Sequence, residues 1–233
     1  MTIGINLIER IGIWYSKKSR KFRGKIFLNR LQPRIADKIL DLGSGTGYHF
    51  FQFIKPSKNV FISDFNSELL EYGKKMFGYN TIVLDANKKL PFKDNFFDII
   101  FCSSLIEHVT GDKRKVLTLL DNAEFRQYAY PYQKQLAKEI RRVSKSYYIQ
   151  TPYKFFPIES HTWLPAILVM LPRSVQLRII LFTNKYWVKK TYPDWNLLTI
   201  NQMKELFPDA EIILERSFGF VKSIIALKKD NLN

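Results

Sequence analysis

A chain of 233 residues that is 46% hydrophobic can bury one sizeable core, so we expect one elaborated domain rather than two domains. The single cysteine excludes a disulfide framework and a cysteine-based metal cluster, which favours a reducing, cytoplasmic setting. A formal net charge of +16 favours nucleic acid, an anionic membrane surface or a phosphorylated substrate as a partner, unless its lysines are simply scattered over solvated faces.

The first 33 residues are predicted to form a basic amphipathic helical segment. From Leu7 to Leu31 apolar residues mix with lysines and arginines in a pattern typical of one or two helices. Such a segment can pack on the core, cover a site as a flap or contact an anionic surface. No secretion signal and no apolar stretch of about 20 residues is recognisable, so we expect a soluble or peripheral protein.

Short apolar runs then alternate with helical stretches, which is typical of βαβ units and a parallel sheet. The predicted strands are 38–42, 59–63, 81–84, 97–102 and 146–150. The predicted helices between them are 48–54, 67–77 and 132–143. Two apolar runs around Gly219, at 211–215 and 221–227, predict a closing hairpin.

Two regions exceed a minimal repeat of strands and helices. Residues 110–130 lengthen the connection after the fourth strand, and a block rich in proline and aromatic residues at about 153–196 follows the fifth. Ligands of open parallel sheets bind outside the carboxyl ends of the strands, where these segments emerge, so both are candidate caps. The predicted organisation is therefore a segment 1–33 and a domain 34–233 that contains the cap insertion.

The strongest motif lies at residues 39–47, where the apolar strand Ile-Leu-Asp-Leu leads into Gly-Ser-Gly-Thr-Gly before a helix. Glycines allow a tight turn and close approach of a ligand, and a helix N-terminus offers free N–H groups. Tyr48 occupies the place where a dinucleotide-binding fingerprint has glycine or alanine, and the Gly-Lys-Ser/Thr of a P-loop is absent. Both nucleotide interpretations are therefore disfavoured.

The motif resembles that of the class I S-adenosylmethionine-dependent methyltransferases, and the resemblance extends beyond the loop. Asp64 follows the second strand, Asp85 and Ala86 follow the third, and Leu90-Pro91-Phe92 comes next. The family implies a Rossmann-like α/β fold with a mostly parallel seven-stranded sheet, helices on both faces and a C-terminal antiparallel hairpin, here with an inserted helical cap. It also implies S-adenosylmethionine as the cofactor.

The resemblance implies a role for each matching residue. Gly43, Ser44 and Gly45 would lie along the methionine and ribose, and Asp41 would organise the ammonium group. Asp64 would hold the ribose, Asp85 and Ala86 the adenine, and the backbone near Ser103 the methionine. The full set of implied cofactor-binding residues is Asp41, Gly43, Ser44, Gly45, Gly47, Asp64, Phe65, Asp85, Ala86 and Ser103.

Residues 37–152 are most similar to a subgroup of quinone-biosynthesis and other small-molecule methyltransferases. Downstream, residues 153–161 resemble a Phe-Pro-x-Glu-x-His segment of bacterial members. The resemblance does not extend to the N-terminal segment or to residues 110–130, which leaves the acceptor open. We expect methyl transfer to an oxygen of a small-molecule or lipid-linked acceptor.

Removal of a proton from an acceptor hydroxyl calls for a nearby base, and histidine titrates close to neutrality. His108 follows the fourth strand and His161 begins the inserted block, with Glu159 two residues before it. These three residues are the candidate catalytic groups, although either histidine could be purely structural. Cys102 is expected to be a buried, inert thiol, and no spacing of His, Asp and Glu suggests a metal site.

Two alternative functions remain open. An RNA methyltransferase would use the basic surface. However, the fourth strand ends in Cys-Ser-Ser-Leu and does not resemble the Asn-Pro-Pro-Tyr type of motif found in enzymes that methylate amino groups. A non-catalytic cofactor-binding protein would keep only the fold. Peripheral contact with an anionic membrane at the inner face is expected from the apolar and basic character of the inserted block.

Overall fold

The computed structural model describes residues 2–230, with side chains at position 7 and from position 9 onward. Its centre is a seven-stranded sheet in the order β3-β2-β1-β4-β5-β7-β6. The strands are β1 (Ile39–Leu42), β2 (Val60–Asp64), β3 (Asn80–Val83), β4 (Phe97–Ser103), β5 (Ser144–Pro152), β6 (Glu211–Ser217) and β7 (Phe220–Lys228). Strands β1 to β5 pair in parallel, whereas β7 is antiparallel to both β5 and β6. The predicted Rossmann-like sheet with its closing hairpin is confirmed.

Seven α-helices surround the sheet within residues 2–230. They are α1 (Thr2–Leu31), α2 (Tyr48–Phe51), α3 (Ser67–Phe77), α4 (Lys113–Thr118), α5 (Asn122–Val143), α6 (Arg173–Tyr186) and α7 (Ile200–Leu206). The segment predicted as one or two helices is the single helix α1, while α2 ends three residues earlier than predicted. Within the described range, every helix is too short or too polar to cross a lipid bilayer.

Helix α5 begins ten residues before the predicted start at Tyr132, so residues 110–130 are not simply a long connection. The Asp121 side chain accepts hydrogen bonds from the N–H groups of Ala123 and Glu124 and caps the helix. Pro131 lies inside the helix, which hid this first part from the sequence pattern. The segment therefore folds as α4 and the first turns of α5.

Helix α1 closes one face of the sheet. Its buried residue Phe27 packs edge-on against the rings of Phe50, Phe101 and Tyr148, with ring centroids 6.4, 5.1 and 5.9 Å away. The opposite face is covered by α5 and α7, whose apolar side chains join one core cluster with β4 and β5. Helices thus lie on both faces.

The block after β5 forms a small helical layer. It contains an isolated bridge between Ile158 and Pro165, a 3-10 helix at Ala166–Met170 and helix α6. Leu168 and Ile180 pack with Trp195 and Leu197 in an apolar cluster of their own. The layer lies beyond the carboxyl end of β5; the domain boundaries at 33 and 34 remain predictions.

Candidate active site

The glycine loop joins β1 to α2 at the carboxyl edge of the sheet. Gly43, Gly45 and Gly47 have φ angles of 77°, 56° and 72°, a left-handed conformation that favours glycine. The N–H groups of Gly43 and Ser44 both donate to the Ser63 carbonyl at 2.9 Å, which ties the loop to the end of β2. A Cβ added at Gly45 would meet no atom within 4 Å, so the backbone there faces open space.

The loop is not open along its whole length. The Leu105 side chain, after β4, lies where a Cβ on Gly43 would be, at 2.8 Å from its position. Gly43 is therefore needed for packing against Leu105, whereas Gly45 borders the open cleft. Only the second of these two glycines leaves room for a ligand in this conformation.

Asp64 ends β2 with its carboxylate turned toward the loop. Its Oδ2 accepts a hydrogen bond from the Gly45 N–H at 2.9 Å, and its Oδ1 accepts one from the Asn66 N–H at 3.0 Å. Phe65 beside it is 74% exposed. Strands β1 and β2 are parallel neighbours, which is why their ends bring Asp64 and Gly45 together.

A second carboxylate lies beneath the loop. Asp41 is buried in β1, and burial together with the nearby Asp64 raises its pKa well above the ordinary value for an aspartate. Two neighbouring carboxylates, one of them desolvated, favour a cationic ligand because the cation relieves both penalties. This edge of the cleft therefore suits a positively charged ligand.

The predicted adenine side is formed by the segment after β3. Burial alone would raise the pKa of Asp85, but hydrogen bonds from the backbone and side chain of Asn87 and the nearby Lys88 outweigh it and lower the pKa. Asn87 Oδ1 in turn accepts from the Gly111 N–H at 2.9 Å, so the segments after β3 and β4 are joined. Ala86 packs against the edge of the larger core cluster.

Ser103 ends β4 on the other side of the glycine loop. Its hydroxyl donates to Gln150 Oε1 on β5 at 2.6 Å, so the side chain is held within the sheet edge. This arrangement leaves the backbone, which the resemblance implicates, as the part of Ser103 available to a ligand.

The three predicted catalytic residues lie together beyond β4 and β5. His161 Nδ1 lies 2.6 Å from Glu159 Oε1, and the rings of His161 and His108 meet edge-on with centroids 4.8 Å apart. His108 Nδ1 lies 2.7 Å from Asp194 Oδ1, and Asp194 also binds the Lys113 ammonium group. Each imidazole is therefore oriented by a carboxylate.

His161 is packed between two further groups. Its ring stacks on Trp195 with centroids 4.6 Å apart and planes 15° apart, and its Nε2 lies 3.7 Å from Glu107 Oε1. Burial alone would lower the pKa of His161, but the Glu107 and Glu159 carboxylates outweigh it and raise the pKa to about 9. The two carboxylates thus stabilise the protonated form of this ring.

Sequence reasoning missed part of this cluster. No role is assigned to Glu107 or Asp194 from the sequence. Asp194 lies 86 residues from His108 along the chain, and nothing in the spacing links them. Trp195 belongs to the aromatic-rich block, and its stacking on His161 places it at the site.

A separate cavity of about 560 Å³ lies at the opposite edge of the sheet, where β4 and β5 begin. Arg34, Asp98 and Lys145 are among its lining residues. The glycine loop lies at the other edge, where the parallel strands end. Ligands of such sheets bind at that carboxyl edge, which argues against this cavity as the active site. The open space beside Gly45 is therefore the better candidate.

Residues 39–123 match a family model described as a methyltransferase domain. This part of the chain therefore resembles a methyltransferase domain. The match spans the glycine loop, Asp64, Asp85 and Ser103, the positions at which S-adenosylmethionine is expected to bind.

Curated relatives resemble the methyltransferase domain over part of their length. The ubiquinone/menaquinone biosynthesis C-methyltransferase UbiE of Francisella philomiragia is 42% identical over 93 residues, which cover 36% of this chain and 37% of the relative. UbiE of Vibrio campbellii is 36% identical over 93 residues, 36% of each chain. This chain therefore spans little more than a third of the relatives that it matches.

Solved structures agree with the fold. A chain of the complex between the Haloferax volcanii Trm112 methyltransferase activator and a putative methyltransferase is 13% identical with a TM-score of 0.51, covering 94% of this chain and 95% of that chain. The N-terminal domain of EvdMO1, solved with SAH and D-fucose, is 15% identical with a TM-score of 0.51, covering 91% and 83%. At this identity the likeness concerns the fold of the methyltransferase domain.

Proposed function

We propose that the protein is an S-adenosylmethionine-dependent methyltransferase that acts on an oxygen of a small-molecule or lipid-linked acceptor. The observation that supports it best is the Asp64 carboxylate, which is hydrogen-bonded to Gly45 beside open space. A carboxylate there can accept hydrogen bonds from two ribose hydroxyls. Asp41 and Asp64 also favour the sulfonium and ammonium charges of the cofactor.

The reaction itself requires mainly positioning. The carbon–sulfur bond of the sulfonium breaks, its electron pair stays on sulfur as a neutral thioether, and the methyl group forms a bond to the acceptor oxygen. The acceptor proton leaves to a base or to solvent. The cluster of His108, His161 and Glu159 lies beyond β4 and β5, on the side where the acceptor would enter. This position supports the proposal that the cluster belongs to the acceptor site.

Carbon is the second candidate for the acceptor atom. The UbiE relatives are named C-methyltransferases, but the shared region is about a third of either chain and the family match ends at residue 123. The inserted block that carries Glu159 and His161 lies outside that match. Mass spectrometry of products from phenolic, hydroxylated and lipid-linked acceptors distinguishes oxygen from carbon methylation.

Calorimetric titration with S-adenosylmethionine tests the cofactor assignment. We expect Asp64→Ala to weaken binding by about 1–3 kcal/mol, or about 5- to 150-fold, because a charged hydrogen-bond acceptor is lost. Asp94→Ala is a matched control, since this exposed carboxylate pairs with Arg142 away from the cleft. A folded wild-type protein that gives no heat at near-millimolar cofactor would contradict the proposal.

We also propose that α1 makes peripheral contact with an anionic membrane at the cytoplasmic face, which would suit a lipid-linked acceptor. Leu7, Ile11 and Trp14 are exposed and recur at helical spacing on one face of α1. The Lys18 ammonium group lies 5.3 Å from the centroid of the Trp14 ring. Exposed Phe218, in the turn between β6 and β7, stacks with Tyr15 and extends the apolar surface.

Vesicle sedimentation tests this surface. We expect binding to vesicles that contain phosphatidylglycerol, weaker binding to pure phosphatidylcholine, and loss of binding in Trp14→Glu. Glu9→Gln, which removes an acidic charge from the same helix, is a control that should bind at least as well. Failure to bind anionic vesicles, together with salt-dependent binding to RNA, would favour the RNA methyltransferase alternative.

A further inference from the structure

Nitrogen and oxygen atoms from two separate segments of the chain converge in the histidine cluster. Glu107, His108 and His161 each offer one atom, and these atoms lie within 4.8 Å of one another. Glu107 and His108 come from the 3-10 helix Ile106–His108 after β4, and His161 comes from the block after β5. Two imidazoles and one carboxylate are a donor set typical of divalent transition-metal sites.

The outer nitrogen of each imidazole is already engaged by a carboxylate. His108 Nδ1 is held by Asp194 and His161 Nδ1 by Glu159, at 2.7 and 2.6 Å. The Nε2 atoms are therefore the ones left available to a metal, and His161 Nε2 lies 3.7 Å from Glu107 Oε1. Histidines that bind a metal commonly have their other nitrogen hydrogen-bonded to a carboxylate, which fixes the ring and its tautomer.

Glu107 supplies an independent sign that a cation belongs here. Its side chain is 0% exposed, and Oε2 accepts a hydrogen bond from Thr151. Oε1 has no hydrogen-bond partner among the described residues, although His161 Nε2 faces it at 3.7 Å, too long for a hydrogen bond. A buried carboxylate oxygen without a partner is costly unless a positive charge neutralises it. In the described part of the chain, no lysine or arginine forms an ion pair with Glu107 or Glu159.

The surroundings hold the three groups in place. Gln133 on α5 donates from Nε2 to the carbonyls of Ile106 and Asn196 at 3.0 and 2.9 Å, which fixes the 3-10 helix. The Asn196 N–H donates to the Glu107 carbonyl at 2.7 Å. Stacking of His161 on Trp195 restricts the remaining ring. The site is thus supported by a buried polar network rather than by mobile surface groups.

We propose that Glu107, His108 and His161 bind one divalent transition-metal ion through Glu107 Oε1 and the two Nε2 atoms, leaving open positions for an acceptor oxygen. Zn²⁺ fits this set of three protein ligands, as do Co²⁺ and Mn²⁺. The role toward the acceptor rests on the proposed function. A bound acceptor hydroxyl would be oriented by the ion and would lose its proton more readily before it receives the methyl group.

Metal titration of protein purified without a histidine tag tests the site without any need for turnover. We expect Co²⁺ to bind one per chain with visible absorption bands of a nitrogen- and oxygen-ligated ion, and Zn²⁺ to displace it and raise the melting temperature. Glu107→Gln and His161→Gln should each weaken Co²⁺ binding at least about 10-fold. His49→Gln, at the one histidine outside the cluster, should leave it unchanged.

Asp194→Asn keeps all three ligands and covers the case in which a ligand variant fails to fold. We expect it to bind Co²⁺ about 10-fold more weakly, because His108 loses the carboxylate that orients it. Wild-type protein that binds no Co²⁺ or Zn²⁺ at millimolar concentration would overturn the proposal. The cluster would then be held together by a proton on His161 that interacts with the two glutamates. Unaltered binding in Glu107→Gln would overturn it as well.

The cofactor titration separates this site from the proposed function. Metal binding without S-adenosylmethionine binding would leave the ion and remove the methyltransferase assignment. Cofactor binding and methyl transfer in protein that binds no metal would do the reverse. If both hold, chelation should abolish turnover, and added Co²⁺ or Zn²⁺ should restore it, in the wild type but not in Glu107→Gln.

Discussion

Asp41 shows how a single buried carboxylate can oppose stability and favour the cofactor. Tyr79, Cys102 and Asp64 are the titratable groups that interact with it electrostatically, and none of them supplies a positive charge. Because its pKa is raised in the folded state, the ionised group lowers stability at neutral pH. The penalty shrinks as pH falls through the raised pKa and levels off near the ordinary carboxyl value.

We therefore expect Asp41→Asn to stabilise the cofactor-free protein and to weaken S-adenosylmethionine binding. Each kcal/mol gained should raise the melting temperature by about 2–4 °C at neutral pH. The gain should disappear near pH 4, where the wild-type carboxyl is neutral too. Thermal melts across pH, with calorimetry for the cofactor, measure both effects; a variant that is less stable at neutral pH would contradict this account.

Substitution of Gly45 would affect both the backbone conformation and the space available to the cofactor, and the two effects can be measured separately. Alanine at its φ of 56° costs about 1–2 kcal/mol, with no collision in the free protein. The added methyl group would occupy the cleft, so we expect Gly45→Ala to lower cofactor affinity at least about 10-fold, an effect of about 1.4 kcal/mol. Calorimetry and urea unfolding report the two effects separately.

Gly219 provides the matched control for this substitution. It has a φ of 82° and also meets no atom within 4 Å of an added Cβ, but it lies in the turn between β6 and β7. Gly219→Ala should cost similar stability and leave cofactor affinity unchanged. Equal affinity in both variants would show that the cofactor does not approach Gly45.

The sequence predicts the contacts of a residue when its partner is close along the chain or lies at the end of a neighbouring parallel strand. Asp64 could be placed opposite the glycine loop because parallel strands β1 and β2 end at the same edge. The pairing of His108 with Asp194 could not be predicted, since it depends on how the inserted block folds back over β4. The convergence of the strand ends indicated that His108 and His161 lie near each other, but the approach of Glu107 to His161 depends on the same folding of the inserted block.

At the scale of elements, α3 is positioned by the absence of one side chain. A Cβ on Gly73 would lie 2.4 Å from the Thr46 carbonyl oxygen, which belongs to the glycine loop. We expect Gly73→Ala to displace α3 from the loop, costing about 1–3 kcal/mol and lowering cofactor affinity together. Urea unfolding and calorimetry test this; unchanged stability and affinity would mean that the loop adapts without cost.

Element boundaries show which local signals were sufficient. Helix α3 was predicted to its terminal residues because Asn66 caps its start and Gly78 ends it in a left-handed conformation. Helix α5 was predicted short because Pro131 interrupts the pattern, although packing of Phe125 and Ala129 against α4 stabilises the turns before it. Tertiary contacts, not local preference, decided that boundary.

At the scale of the molecule, the excess positive charge does not identify the active site. The glycine loop is bordered by the carboxylates Asp41 and Asp64, whereas exposed Lys17, Lys18 and Lys21 lie on α1. The cleft and the basic surface thus differ in the sign of their charge. This separation agrees with the proposed binding of a cationic cofactor in the cleft and of an anionic membrane by α1.

The two halves of α1 consequently differ in their contribution to stability. Phe27 is buried among the aromatic rings of the core, and Ile11 is exposed on the apolar face. We expect Phe27→Ala to lower the free energy of unfolding by about 3–5 kcal/mol because it leaves a cavity against β4 and β5. Ile11→Ala should change it by less than about 0.5 kcal/mol and should weaken vesicle binding instead. Urea unfolding measures both variants, and a small loss in Phe27→Ala would mean that α1 does not form part of the folded core.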